Sequence, residues 1–211
     1  MSLFITFEGP EGSGKTTQIE RLAEWLRDCG YDVIATREPG GTPIGDEIRE
    51  VLHALRNRAM QPTTELLLYC ASRAQLVSEV IRPHLARGGI VLSDRYADSS
   101  IAYQGYGRGL DLDALRSIVA FATGGLRPDL IVLLDIDVEE GLRRRQGSGG
   151  EWNRLDQEAT DFHRRVREGF WQLARAGPDR WAVIDAARSA DAVQAEIRSE
   201  VEKRLRAKRE T

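Results

Sequence analysis

Gly9-Pro10-Glu11-Gly12-Ser13-Gly14-Lys15-Thr16 meets the pattern G-x-x-x-x-G-K-[ST] at every specified position, directly after the apolar, β-rich run Leu3 to Glu8. Behind it, Ile19, Leu22, Ala23 and Leu26 recur at i, i+3, i+4 and i+7, the period of a helix buried on one face, and Gly30 marks its end. Strand, glycine loop and helix form the setting in which such a loop works. Glycines let successive backbone N–H groups curl toward a phosphate, and the helix N-terminus adds its positive dipole end. Lys15 then reaches the outer phosphates as a point charge, and the Thr16 hydroxyl completes a Mg²⁺ shell made mostly of water and phosphate oxygen.

Working outward, Tyr31 to Thr36 reads as a second strand, followed by a Gly/Pro-rich loop and helical patterns at about Ile44 to Leu55 and Thr63 to Leu85. A third strand lies in GGIVLSDR, a helix at Leu112 to Phe121 and a fourth strand in LIVLLDID. From Val138 the pattern is helical, breaks at GSGG (147–150), resumes from about Leu155 to Ala174, and closes with the strand WAVID and a helix centred on Val193, Ile197, Val201 and Leu205. Five apolar strands alternating with helices predict an α/β fold of the P-loop NTPase type: a five-stranded parallel sheet with helices on both faces, in three layers. A length of 211 residues sets one domain, 1–211, as the expectation. The compositional break LRRRQGSGGEWNR predicts an exposed, mobile lid at about 143–154.

The 30 basic and 33 acidic residues leave a net charge of −3, which gives no global attraction for nucleic acid or an acidic membrane. Phosphate binding must therefore come from local constellations. Cys29 and Cys70 are too few for a disulfide framework and lack metal-type pairing. The N-terminal MSLFITFEGPEG has no signal-peptide pattern and no stretch reaches spanning length, so a soluble cytoplasmic protein is expected. His53, His84 and His163 lack metal-ligand spacing, and the basic run Lys203 to Arg209 suits a solvated helix end.

A Mg²⁺ site needs a carboxylate near the phosphates. Asp94 ends the third strand and Asp135 the fourth; Arg95, beside Asp94, favours the former because phosphoryl transfer needs a second cation next to the metal. Arg37, Arg49, Arg73 and Arg95 fall near loops or helix starts adjoining the predicted crevice. Arg143, Arg144, Arg145 and Arg154 bracket the lid, though three consecutive helix positions cannot all face one ligand. A lid that delivers arginine only on closure would exclude water.

FEGPEGSGKTT (7–17), TREPGGTPIGDEIR (36–49), DRYADSSIAYQG (94–105) and NRLDQE (153–158) together resemble thymidylate kinase of the bacterial type over nearly the whole chain. The resemblance implies transfer of the ATP γ-phosphoryl to dTMP, giving dTDP and ADP, with Mg²⁺ and a homodimeric assembly. It further implies an ATP cradle at Gly9, Pro10, Glu11, Gly12, Ser13, Gly14, Lys15, Thr16 and Thr17, with Asp94 near Mg²⁺ and the acceptor phosphate. Arg49 and Arg95 would hold the monophosphate, Glu11 the sugar 3′-hydroxyl, and Tyr103 would crowd a ribose 2′-hydroxyl. Arg73, Ser100 and Gln104 would read the thymine edge. Tyr69 stands where the family's stacking phenylalanine is expected, and its hydroxyl needs a partner. Gly12 lies where some members carry a P-loop arginine; an arginine-bearing lid replaces it in the other subgroup, which points to Arg144 and Arg154 as cations acting in cis. Other P-loop kinases, for a different monophosphate, a nucleoside or shikimate, differ in acceptor. A GTPase-like switch would need Asn153 to Asp156 to follow an apolar strand, which they do not, and a nucleic-acid-binding ATPase would need a basic stripe that is absent.

Overall fold

The computed structural model of the chain describes residues 2–147 and 153–209. Its sheet consists of β1 (Leu3–Glu8), β2 (Val33–Arg37), β3 (Ile90–Asp94), β4 (Leu130–Asp135) and β5 (Trp181–Asp185), all parallel, in the order β2-β3-β1-β4-β5. Around it lie α1 (Lys15–Asp28), α2 (Pro43–His53), α3 (Pro62–Leu76), α4 (Arg82–Ala86), α5 (Ala97–Ser100), α6 (Leu112–Thr123), α7 (Val138–Gly147), α8 (Thr160–Ala176) and α9 (Ala190–Ala207). The expected α/β architecture is the observed one.

Strand alternation divides the core between the two faces. Leu3, Ile5 and Phe7 of β1 with Leu130, Val132 and Leu134 of β4 pack against Ile19, Leu22 and Leu26 of α1 and Ile197 and Val201 of α9. On the other face Ile131 and Leu133 meet Phe162, Val166 and Phe170 of α8, while Phe4 joins Leu76, Ile81 and Tyr96. Each fully buried apolar side chain of this size stabilises the fold by roughly 1.5–3 kcal/mol. Helix starts follow local chemistry: the Thr42 hydroxyl accepts from Gly45 N at 3.0 Å with Pro43 behind it, and the Asp111 carboxylate from Ala114 N at 2.8 Å.

Boundaries differ from the periodicity reading in informative places. β2 starts at Val33, because Tyr31 is held in the helix end by its N–H to Leu26 O at 3.1 Å. The long helix expected to Leu85 passes through a wide turn at Val77–Ile81 before α4. The helix expected from Leu155 begins at Thr160, since Asn153 Oδ1 accepts from Leu155 N (2.8 Å) and Asp156 N (3.2 Å) and winds that segment into a turn. β1 has β3 on one side and β4 on the other, so the winding reverses at its carboxyl end and opens a crevice there, beside the P-loop.

Candidate active site

The P-loop closes around Lys15, whose Nζ donates to Gly9 O (3.2 Å), Pro10 O (2.9 Å) and Ser13 Oγ (3.3 Å). Burial, reinforced by the charge of Arg95, pulls the Lys15 ammonium down to about 8 against the pull of Glu11 and Asp94. Thr16 Oγ1 donates to Asp94 Oδ2 at 2.9 Å, so a hydroxyl and a carboxylate converge at the helix start. Two hard oxygen donors facing a phosphate loop suit Mg²⁺, which keeps most of its shell from water and phosphate. Asp135, the alternative carboxylate, is clamped by Arg167 through two bonds of 2.8 Å and takes no part in the site.

Arg95 adopts a left-handed backbone, φ 69°, a conformation that costs a non-glycine residue roughly 1–2 kcal/mol. It is held there by Arg95 N–H on Phe7 O (2.9 Å) and Ser93 Oγ on Arg95 O (2.7 Å). The turn aims its guanidinium back across β1, where Nη1 donates to Gly9 O (3.2 Å) and Nη2 to Glu11 Oε1 (2.7 Å). Tyr103 Oη donates to the same Glu11 oxygen at 2.9 Å, and its ring lies 4.9 Å below the Arg95 guanidinium carbon. Burial pushes the Glu11 carboxyl upward, but Arg95 and Lys15 outweigh it and hold it at about 2. Beneath the turn, wholly buried Glu8 accepts from Tyr96 N (2.9 Å) and Ser99 Oγ (2.5 Å); burial and the charge of Asp98 push its carboxyl up to about 8.

Glu11, Lys15, Thr16, Asp94, Arg95 and Tyr103 share one cleft of about 490 Å³ with Arg37, Glu38, Pro39, Arg49, His53, Tyr69, Gln104 and Leu155. Arg49 donates to Pro39 O at 3.0 Å. Arg144 also lines it, donating to Ala186 O (2.9 Å) and Glu140 Oε1 (2.8 Å), as does Arg145, which is paired with Asp156 at 3.1 Å. The backbone of α7 abuts the P-loop so closely that a Cβ on Gly12 would lie 2.0 Å from Gly141 O.

A donor-phosphate loop and an Arg-Glu-Tyr cluster within one 490 Å³ cleft define a kinase-like site without naming its acceptor. A family model described as thymidylate kinase matches residues 7–197. The chain belongs to the thymidylate kinase family. A thymidylate kinase of Deinococcus radiodurans is 56% identical over 202 residues, covering 96% of this chain and 97% of that one. One from Roseiflexus is 54% identical over 213 residues, covering 96% and 94%. The crystal structure of thymidylate kinase from Ehrlichia chaffeensis superposes with a TM-score of 0.77 at 34% identity, covering 95% of this chain and 98% of that one.

Several expected site residues sit elsewhere than the sequence reading placed them. Arg73 is 1% exposed and does not line the cleft; it donates to Glu38 Oε2 (2.8 Å), Ser100 Oγ (2.9 Å) and Tyr96 O (3.0 Å), so Arg73 and Ser100 form a layer behind the wall. Arg154, expected on a swinging lid, is buried, is not among the residues lining the cleft, and is bonded to Leu52 O (3.1 Å) and the Glu65 carboxylate. Its neighbours Arg108 and Gln104 also donate to Glu65, and that shared anion outcompetes solvent for Arg154. Of the three consecutive arginines, Arg143 is exposed and, among the described residues, pairs with Glu140. The lid expected at about 143–154 includes residues 148–152, which lie outside the described residues. The Tyr69 hydroxyl has no hydrogen-bond partner among the described residues, and burial raises its pKa. Sequence reasoning missed Glu8, Glu38, Glu65 and His53. His53 lines the cleft with burial and Arg49 holding it down to about 4, so it is neutral there. Glu8 alone had a local signal, a carboxylate closing an otherwise apolar strand.

Proposed function

We propose that this cleft moves the γ-phosphoryl of ATP to a phosphate oxygen of dTMP, releasing ADP and dTDP, with donor and acceptor meeting between Lys15 and Arg95. The observation that carries the reading is the Arg95–Glu11–Tyr103 cluster, which puts a cation, a carboxylate held ionised and a phenol beside the P-loop lysine. Lys15 and the loop N–H groups hold the β and γ phosphates, while Arg95 and Arg49 bind the acceptor monophosphate. The acceptor oxygen is already anionic and needs no base; positioning and charge neutralisation supply the catalysis. Ionised Glu11 accepts from the 3′-hydroxyl, Tyr103 crowds a 2′-hydroxyl, Tyr69 stacks on the base, and Gln104 meets its edge, with Arg73 and Ser100 fixing the wall behind. Thr16 and Asp94 hold Mg²⁺, which when bound neutralises phosphate charge. Arg144, which lines the cleft from α7 and reaches the backbone oxygen of Ala186 while Arg145 is paired with Asp156, takes the role of cation in cis from Arg154.

Exposed Ile44, Val51, Leu55, Leu67 and Phe121 on and beside α2, α3 and α6 support a homodimer that covers them. Among the described residues no helix is long and apolar enough to cross a membrane, and a cytoplasmic site of action fits the substrate pair. The test is a panel of dTMP, dUMP, ribothymidine monophosphate and dGMP with Mg-ATP, reading kcat/KM from ADP release. A preference for dTMP over dUMP of roughly 10 to 200-fold is expected, because one methyl contributes about 1–3 kcal/mol. Equal use of dGMP overturns the assignment; equal use of the ribose analogue removes the Tyr103 role.

A further inference from the structure

Glu65 lies outside the cleft lining, 1% exposed, yet its carboxylate collects donors from three residues in two remote parts of the chain. Oε1 accepts from Gln104 Nε2 (2.8 Å) and Arg108 Nε (3.2 Å); Oε2 accepts from Arg108 Nη2 (3.1 Å) and from Arg154 Nη2. Two guanidiniums on one carboxylate keep it ionised, and an ionised carboxylate can only accept. The side of the Gln104 amide that faces Glu65 must therefore be its nitrogen, since the reverse would set two oxygens lone pair to lone pair. Gln104 also lines the cleft. With its nitrogen engaged, the carbonyl oxygen is the polar atom left for a ligand, and no donor among the described residues takes it.

We propose that Glu65 is a positioning residue for base choice: by holding the Gln104 amide nitrogen it turns the Gln104 carbonyl oxygen toward the acceptor base, selecting pyrimidines whose N3 carries hydrogen. A thymine-type N3–H donates to that oxygen. A cytosine-type N3 presents a lone pair to it and is refused, because a buried acceptor is then left facing an acceptor. The inference rests on reading the cleft as the dTMP site.

The experiment compares kcat/KM for dTMP and 5-methyl-dCMP, which share sugar, phosphate and methyl group and differ at N3 and C4. In Glu65→Gln, the new amide can donate to the Gln104 oxygen, so both orientations of Gln104 become available. The dTMP to 5-methyl-dCMP ratio is expected to fall by roughly 10-fold or more, through KM for the nucleotides, with KM for ATP unchanged. Recognition at C4 acts equally in both proteins and cancels in the comparison. A folded Glu65→Gln enzyme that loses activity on both nucleotides in proportion overturns the proposal, for that is what a purely structural carboxylate would give. If Glu65→Gln does not fold, Gln104→Met in the otherwise native chain decides: the same fall in ratio supports the reading and an unchanged ratio overturns it. Failure of the native enzyme to use dTMP would instead sink the assignment of the acceptor.

Discussion

Replacing Gly12 by alanine tests the contact between the P-loop and α7. Gly12 has φ 71°, and an added Cβ would meet Gly141 O at 2.0 Å and Gly141 C at 2.8 Å, both backbone atoms that cannot rotate aside. Gly14 has a similar φ of 87°, but its Cβ would meet nothing within 4 Å. Both variants lose roughly 1–2 kcal/mol to the left-handed backbone. Gly12→Ala must also part the two backbones by more than an ångström, an overpacking cost of about 1–3 kcal/mol. For a chain of this size 1 kcal/mol moves Tm by roughly 2–4 °C, so Gly14→Ala should melt about 2–8 °C lower and Gly12→Ala about 4–20 °C lower. Parting α7 from the loop also moves Arg144, so KM for ATP should rise in Gly12→Ala beyond any rise in Gly14→Ala. Thermal melts of both proteins with steady-state ATP titrations measure this. Equal melting temperatures would refute the steric argument. An arginine at position 12 would carry the same Cβ and meet the same carbonyl.

Lys15→Ala should lower kcat roughly 100-fold or more, as expected for loss of one preorganised charge at the transferring group, with Tm nearly unchanged; near-normal turnover would end its catalytic role. Glu8→Gln should flatten the pH dependence of stability. A folded carboxyl raised from 4.5 to about 8 contributes stability that is present below pH 4.5 and is lost as pH rises to 8, so the variant should gain on the native protein by on the order of a few kcal/mol across that window. Denaturant midpoints at pH 5 and pH 8 measure it, and parallel shifts would contradict the burial argument. Arg154→Ala should destabilise by about 2–3 kcal/mol, less than a buried pair broken outright because Arg108 still neutralises Glu65, with kcat within several-fold. A large fall in kcat at unchanged stability would return Arg154 to the reaction centre.

Local chemistry in the chain was enough to place what depends on neighbours in sequence. The P-loop is contiguous, the five strands are apolar runs bounded by turn residues, and Asp94 and Arg95 follow from the end of one such run. Arg73 and Arg154 went astray because their partners are remote: Arg73 meets Glu38 across 35 residues and Arg154 meets Glu65 across 89. A lone arginine in a helix or after a glycine-rich break does not say which carboxylate the fold will bring to it. The start of α8 failed for a local reason instead, since the Asn153 side chain offers the backbone a turn that apolar periodicity cannot report.

A chain of net charge −3 can bind two polyanions only if its cations gather where they are needed, and the cleft shows how. Lys15, Arg37, Arg49, Arg95, Arg144 and Arg145 line it against Glu11, Glu38 and Asp94, a local excess of positive charge. Lys15 and Arg49 are oriented largely by carbonyl oxygens of Gly9, Pro10 and Pro39, which fix direction without cancelling charge. Arg95 is set by a carboxylate, Glu11, which stays ionised because Arg95, Lys15 and Tyr103 share it, while Arg37, Arg144 and Arg145 face Asp46, Glu140 and Asp156. Phosphates entering this cleft therefore meet Lys15 and Arg95 already largely desolvated and aimed, so reorganisation is small at the moment of transfer. Carboxylates in place of those carbonyls would hold the same geometry and forfeit the attraction.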